Sequence, residues 1–171
     1  QSQFIRRASD RPGRWMVLHT KSRQEKAVAR QLRAHDVAFF LPVVDRTRMV
    51  RGRKMRAQLP LFPGYLFLFG EREDGFTAIS TKRVCQVIEV QDQARFVEEI
   101  DQIARALTAG AELDLYPFAT KGQRCRITRG PFYGLEGIIL ERKRMARLIL
   151  QVDMLGQGAA LEVDADFLEP V

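Results

Sequence analysis

The chain has 171 residues, 46% hydrophobic and 29% charged, with a net charge of +7. That length supplies one ordinary domain or two small ones, and no apolar run approaches the roughly 20 residues of a membrane helix, so a helical membrane protein is excluded. The charge is unevenly placed, with 15 Lys or Arg against 4 Asp or Glu in residues 1–60 and 13 against 17 in the remainder. A positive field confined to one third of the chain attracts phosphates, whereas a scattered excess mainly serves solubility, so nucleic acid is the favoured partner.

Residues 1–14 mix Phe4 and Ile5 with Arg6, Arg7 and Arg11 and lack the apolar core of a secretion signal, which predicts a loose basic arm. Trp15-Met-Val-Leu-His-Thr20 is a β-rich run of strand length. Ser22-Arg-Gln-Glu25 then offers a capping box for a helix whose Val28, Ala29 and Leu32 share a face and which ends near His35 or Asp36. The stretch 37–44 is apolar and β-branched but interrupted by Pro42, as an irregular or edge strand would be. Residues 46–56 contain no carboxylate and alternate cations with apolar or polar residues about Gly52, the pattern of a hairpin with a cationic tip. A solvated loop normally mixes both signs, so Arg51, Arg53 and Lys54 are expected to contact nucleic-acid phosphates.

The segment 59–69 is the most apolar of the chain. As a strand it places Tyr65, Phe67 and Phe69 on one face and Leu66 and Leu68 on the other. Helices on one side of an antiparallel sheet cover one of these faces. Aromatics on the other imply a partner, the alternative being a central strand buried on both sides by its own domain. A short helix over 75–80, a strand over 84–90 and a longer helix over 95–109 follow, the last with Phe96, Ile100, Ile103, Ala104 and Leu107 on one stripe and Gly110 at its end. This order folds most simply as α+β, an antiparallel sheet with its helices on one face.

Residues 111–118, with Pro117, read as a linker. Short strands over 123–129, 136–142, 147–152, 160–163 and 167–169, separated by glycine turns, then make a small five-stranded β-barrel. Gly130, Pro131, Gly134 and Gly137 oppose a helix there, at about 1 kcal/mol per interior Gly and about 3 for Pro, so the strand form is predicted. The expected organisation is a 1–14 arm, a 15–110 domain, a 111–118 linker and a 119–171 barrel.

Cys85 and Cys125 lie in separate apolar segments and suit buried thiols of a reducing cytoplasm better than a disulfide. Their spacing to His19 and His35 matches no metal pattern, so neither a metal nor a cofactor is expected. No paired carboxylates, phosphate loop or nucleophile constellation stands out, and the expectation is a protein that is not an enzyme.

Two segments carry a family resemblance. Lys121-Gly-Gln-Arg-Cys-Arg-Ile-Thr-Arg-Gly-Pro-Phe-Tyr-Gly-Leu-Glu-Gly-Ile-Ile-Leu140 resembles a KOW motif, and Phe62-Pro-Gly-Tyr-Leu-Phe67 resembles the hallmark strand of the NusG N-terminal (NGN) domain, whose topology is RRM-like. They occur in the family's order, and with Trp15, the amphipathic helix and the Leu155-Gly156 loop the resemblance covers Trp15 to Val171. The stretch from Met49 to Phe67 is most similar to the specialised RfaH-like branch.

The resemblance implies a monomeric, cytoplasmic transcription elongation or antitermination factor whose NGN domain packs on the clamp helices of RNA polymerase and suppresses pausing or termination. It carries polymerase docking over to Phe62, Pro63, Tyr65 and Phe67, with His19 at the rim, and sets Lys21, Arg23 and Lys82 beside non-template DNA or nascent RNA. It also gives the SH3-like KOW barrel a second partner, a small-subunit ribosomal protein or Rho, at Phe132, Met154 and Leu155. Leu155 stands where the family often has an aromatic residue, and the stretch after Val90 is shorter than in general NusG proteins; both weigh against Rho. The rival reading is an RNA-binding module in which Gly64-Tyr-Leu-Phe-Leu-Phe69 stacks bases as an RRM strand does, although the leading cation and following small residue of that motif are missing.

Overall fold

The run that begins at Trp15 forms β1 (Arg14–Thr20), the centre of a four-stranded antiparallel sheet. In the computed structural model, which describes residues 2–142 and 144–171, the chain divides into two units: Arg6–Gln93, and Ala94–Val171 with residues 2–5. The division falls within α1 (Ser2–Ser9), a helix where a loose arm is expected. Its Ile5 and Ala8, three residues apart and so on one side, are both buried, and Ser9 Oγ accepts a 3.0 Å hydrogen bond from Trp15 Nε1. Gln1 of the expected arm lies outside the described residues.

The first unit continues through α2 (Glu25–Ala34), β2 (Ala38–Phe40), β3 (Val43–Val50), β4 (Arg53–Pro60), β5 (Tyr65–Gly70), α3 (Arg72–Ser80) and β6 (Val84–Glu89). The sheet order is β2-β5-β1-β6, while among the described residues β3 and β4 pair only with each other. Leu18, Leu66 and Leu68 pack with Val28, Ala29 and Leu32 of α2 and with Ala78 of α3. Each such Leu contributes about 1.5–3 kcal/mol when fully buried, so the alternation of β1 and β5 fixes which face receives the helices.

Two expectations are corrected here. The opposite face of β5 is not an open aromatic surface. Phe67 and Phe69 are buried, and the Phe67 ring lies 6.2 Å from Phe40 and 6.3 Å from Phe62 between centroids. The capping box expected at Ser22 is also absent: α2 starts at Glu25 behind Gln24, which makes no side-chain cap. The Glu25 carboxylate is buried and engaged elsewhere, accepting from Gly64 N at 2.8 Å.

The second unit comprises α4 (Gln93–Thr108, of which only Gln93 belongs to the first), β7 (Asp114–Tyr116), β8 (Arg124–Ile127), β9 (Glu136–Arg142), β10 (Met145–Val152), β11 (Gln157–Asp164) and β12 (Leu168–Pro170). The strands form one antiparallel sheet in the order β12-β8-β9-β10-β11-β7. The five predicted strands are thus present in β form, around a core that includes Cys125, Ile127, Leu148, Ile149 and Val152. β7 lies within the expected linker. It pairs Asp114, Leu115 and Tyr116 with Ala160, Ala159 and Gly158, a long-range match that local composition does not announce.

Candidate nucleic-acid and docking interface

The end of β1 nearest α2 gathers most of the residues singled out in the N-terminal sequence. His19 pairs with Tyr65 across β1 and β5, and the two rings stack with centroids 5.0 Å apart and planes inclined by 21°. The turn leading into Tyr65 is held from three sides. Thr20 N donates to Gly64 O (2.8 Å), Glu25 accepts from Gly64 N, and Tyr65 N donates to Phe62 O (3.0 Å). Gly64 has φ +86°, a left-handed conformation that a side chain would strain. The result presents Pro63, exposed, and the half-buried pair His19 and Tyr65, whereas Phe62 and Phe67 point into the core at 1% and 0% exposure.

Immediately beyond, Lys21 N donates to Arg83 O at 2.9 Å, which joins the loop after β1 to the loop before β6. This brings Lys21, Arg23 and Lys82 together with Arg83, which sequence reading missed. Its guanidinium is bound to Gln24 Oε1 and its backbone N donates to Thr81 Oγ1 at 3.2 Å. Arg83 sits one residue before an apolar strand, where a cation reads as an ordinary strand boundary, and only the fold sets it beside Lys21. Lys21, Arg23 and Lys82 are exposed, and among the described residues none has an ion-pair partner. Arg51, Arg53 and Lys54 lie apart from this cluster at the tip of the β3–β4 hairpin, also exposed.

In the second unit the loops carrying the remaining candidates meet α4. Arg105 donates to Tyr133 O (3.4 Å), and Gln102 exchanges two hydrogen bonds with the backbone of Glu136, at 2.9 and 2.7 Å. Asp153 N donates to the Glu99 carboxylate (3.2 Å), and Arg95 pairs with the Asp153 side chain. Phe132, Met154 and Leu155 are half-buried beside these contacts. Burial is the main reason that the Glu99 carboxyl is pushed up to about 7. The Asp153 charge adds to the rise, while the Asp153 N–H and the Arg95 charge oppose it. Glu136 moves the other way, held below the usual carboxylate range chiefly by hydrogen bonds from Arg126 and then Arg124.

The cysteines are free, but Cys85 is exposed rather than buried. The reason is a register shift: Gln86 pairs with His19 and Val84 with Thr20, leaving Cys85 as the extra residue of a bulge on the edge strand. Among the described residues no three His, Cys, Asp or Glu side chains are grouped to hold a metal ion.

The chain thus carries an antiparallel α+β unit that exposes cationic loops and a cationic ribbon, and a second unit built on one six-stranded antiparallel sheet. The chain belongs to the NusG family: the family model described as transcription termination factor NusG matches residues 13–106, more than half of its length. It is 29% identical to the transcription termination/antitermination protein NusG of Xylella fastidiosa strain Temecula1, an alignment covering 90% of this chain and 96% of that protein. The corresponding protein of Xylella fastidiosa strain 9a5c is 28% identical over the same shares. Among solved structures, the one titled "Domain interaction in Thermotoga maritima NusG" superposes with a TM-score of 0.52 at 20% identity, covering 96% of this chain and 99% of that one, a likeness of fold. No described helix is long and apolar enough to cross a membrane.

Proposed function

We propose that this member of the NusG family is a non-enzymatic elongation or antitermination factor that docks on the clamp of RNA polymerase through Pro63, Tyr65 and His19. In this reading Phe62 and Phe67 build the site from beneath, and Lys21, Arg23, Lys82 and Arg83 border the displaced non-template DNA. Arg51, Arg53 and Lys54 contact phosphates, and the barrel receives a second partner, a ribosomal small-subunit protein or Rho, at Phe132, Met154 and Leu155. One observation supports the reading above others: a stacked His–Tyr pair, half-exposed on two paired strands, adjoins four cations from two loops that are hydrogen-bonded together. Aromatic anchors at the centre of an interface commonly contribute about 2 kcal/mol or more.

Titration of core RNA polymerase with the full-length chain tests this. Tyr65→Ala is expected to weaken binding about 30-fold, the equivalent of about 2 kcal/mol, and His19→Ala to weaken it less. Normal binding by the double variant removes the docking assignment. The burial of Phe67 and Phe69 weighs against the alternative of a base-stacking RNA module, since stacking needs open ring faces.

A further inference from the structure

The cations of the β3–β4 hairpin are arranged in a way that selects among nucleic acids. The step rests on the reading of Arg51, Arg53 and Lys54 as phosphate contacts. Residues directly opposite in an antiparallel ribbon point to the same face. The pairs Arg46↔Ala57, Arg48↔Met55 and Val50↔Arg53 therefore put Arg46, Arg48 and Arg53 on one face, and Thr47↔Arg56 and Met49↔Lys54 put Arg56 and Lys54 on the other. Residues 47–56 are exposed throughout, and among the described residues no third strand pairs with the ribbon. Among the described residues Arg48, Arg51, Arg53, Lys54 and Arg56 have no ion-pair partner.

A ribbon lying flat on a single strand, or on one acidic surface, uses the cations of one face and leaves the others in water. Cations on both faces fit a site with phosphates on both sides. The major groove of B-form DNA is such a site, about 12 Å wide and 8.5 Å deep, and it admits a two-stranded ribbon. At about 3.4 Å per residue its depth takes in about two or three residues of each strand, here Met49 to Lys54. Arg51 and Gly52, at φ +50° and +77°, close the tip as a narrow two-residue turn. Met49 and Val50, 63% and 43% exposed, would then meet base edges, where thymine methyl groups offer apolar contact. Arg48 and Arg56, next along the ribbon and on opposite faces, stand level with the two phosphate walls.

We propose that the β3–β4 ribbon binds double-stranded DNA by entering the major groove tip first, with Met49 and Val50 against base edges and Arg48 and Arg56 on phosphates of opposite strands. The test is anisotropy of a labelled DNA duplex, of one of its strands alone and of an RNA duplex of the same sequence, titrated with the full-length chain over a range of salt. The DNA duplex is expected to bind tightest, because the deep, narrow major groove of A-form RNA excludes the ribbon. Arg48→Gln and Arg56→Gln are each expected to lower the log-log salt slope on the duplex by about 0.9, and by about 1.8 together. Met49→Ser with Val50→Ser should abolish the preference for duplex over single strand and leave the slope unchanged. All of these positions are exposed, so the variants keep the fold. Equal binding of the single strand or of the RNA duplex overturns the groove assignment and leaves the phosphate reading standing. An unchanged slope after replacing Arg51, Arg53 and Lys54 together overturns the phosphate reading itself.

Discussion

Three of the cations picked from the sequence, Arg23, Arg51 and Lys82, hold left-handed backbone with φ of 61°, 50° and 62°. A side chain there costs of order 1–3 kcal/mol, which glycine avoids. Arg23 and Lys82 are exposed without an ion-pair partner, so their side chains do not repay that cost within the described fold. We predict that Lys82→Gly raises stability by about 1 kcal/mol, the relief of strain less the entropy of a new glycine, while weakening DNA association. A urea midpoint and a DNA titration measure the two effects, and a lowered midpoint would make Lys82 a structural residue. Phe67 and Tyr65, two apart on β5, separate in the opposite sense. Phe67→Ala removes a ring with 0% exposure and is predicted to cost about 3–5 kcal/mol, whereas Tyr65→Ala, from a half-buried site, should cost far less and act mainly on docking. The alternation of β5 was legible in the sequence; whether a partner or the chain's own domain covers its aromatic face was not. Cover depends on contacts distant in the chain, such as those of Phe40 and Phe62 with Phe67.

At the scale of elements, α4 shows what periodicity reveals and what it leaves out. Of the predicted stripe, Phe96, Ile100, Ile103 and Ala104 are buried and Leu107 is half-buried, but Asp101 and Ala106 are buried as well, and Glu99 carries a contact that no pattern marks. Glu99 gives a pH dependence of known sign. Its carboxyl is raised to about 7 from an ordinary 4.5, so as pH rises the unfolded chain releases this proton first and the folded chain resists. Stability from this group is full below 4.5, falls through the interval up to about 7 and stays low above it. Glu136, shifted downward, acts in the opposite sense and only when pH falls below its ordinary value, outside that window. Glu99→Gln keeps an oxygen to accept from Asp153 N and removes the titration. We predict that urea midpoints of the parent fall between pH 5 and about 7 relative to those of Glu99→Gln, and run parallel above. Parallel curves throughout would place the Glu99 carboxyl in an ordinary, solvated setting.

On the scale of the whole chain, the strands of the second unit and their glycine turns were readable because each is local. The limits of the second unit were not. The stretch 111–118 with Pro117 reads as a linker, yet β7 within it pairs with β11, and α4 contributes Gln102, Arg105 and Glu99 to contacts at Glu136, Tyr133 and Asp153. The family match ends at residue 106, within α4, while the compact unit begins at Ala94, so α4 is claimed by sequence kinship on one side and by packing on the other. A fragment pair distinguishes them. A barrel of about fifty residues has a small core and little stability to spare. Starting at residue 119 removes β7, the buried Leu113 and the paired hydrogen bonds of Gln102. A buried Leu contributes about 1.5–3 kcal/mol and each net hydrogen bond about 1, so the fragment 119–171 is predicted to be at least about 3 kcal/mol less stable than 94–171. Urea unfolding followed by far-ultraviolet circular dichroism measures the difference, with a β-type spectrum expected from the shorter fragment wherever it remains folded. Equal midpoints would place the working boundary at the expected linker and make the contacts of α4 incidental to the stability of the barrel.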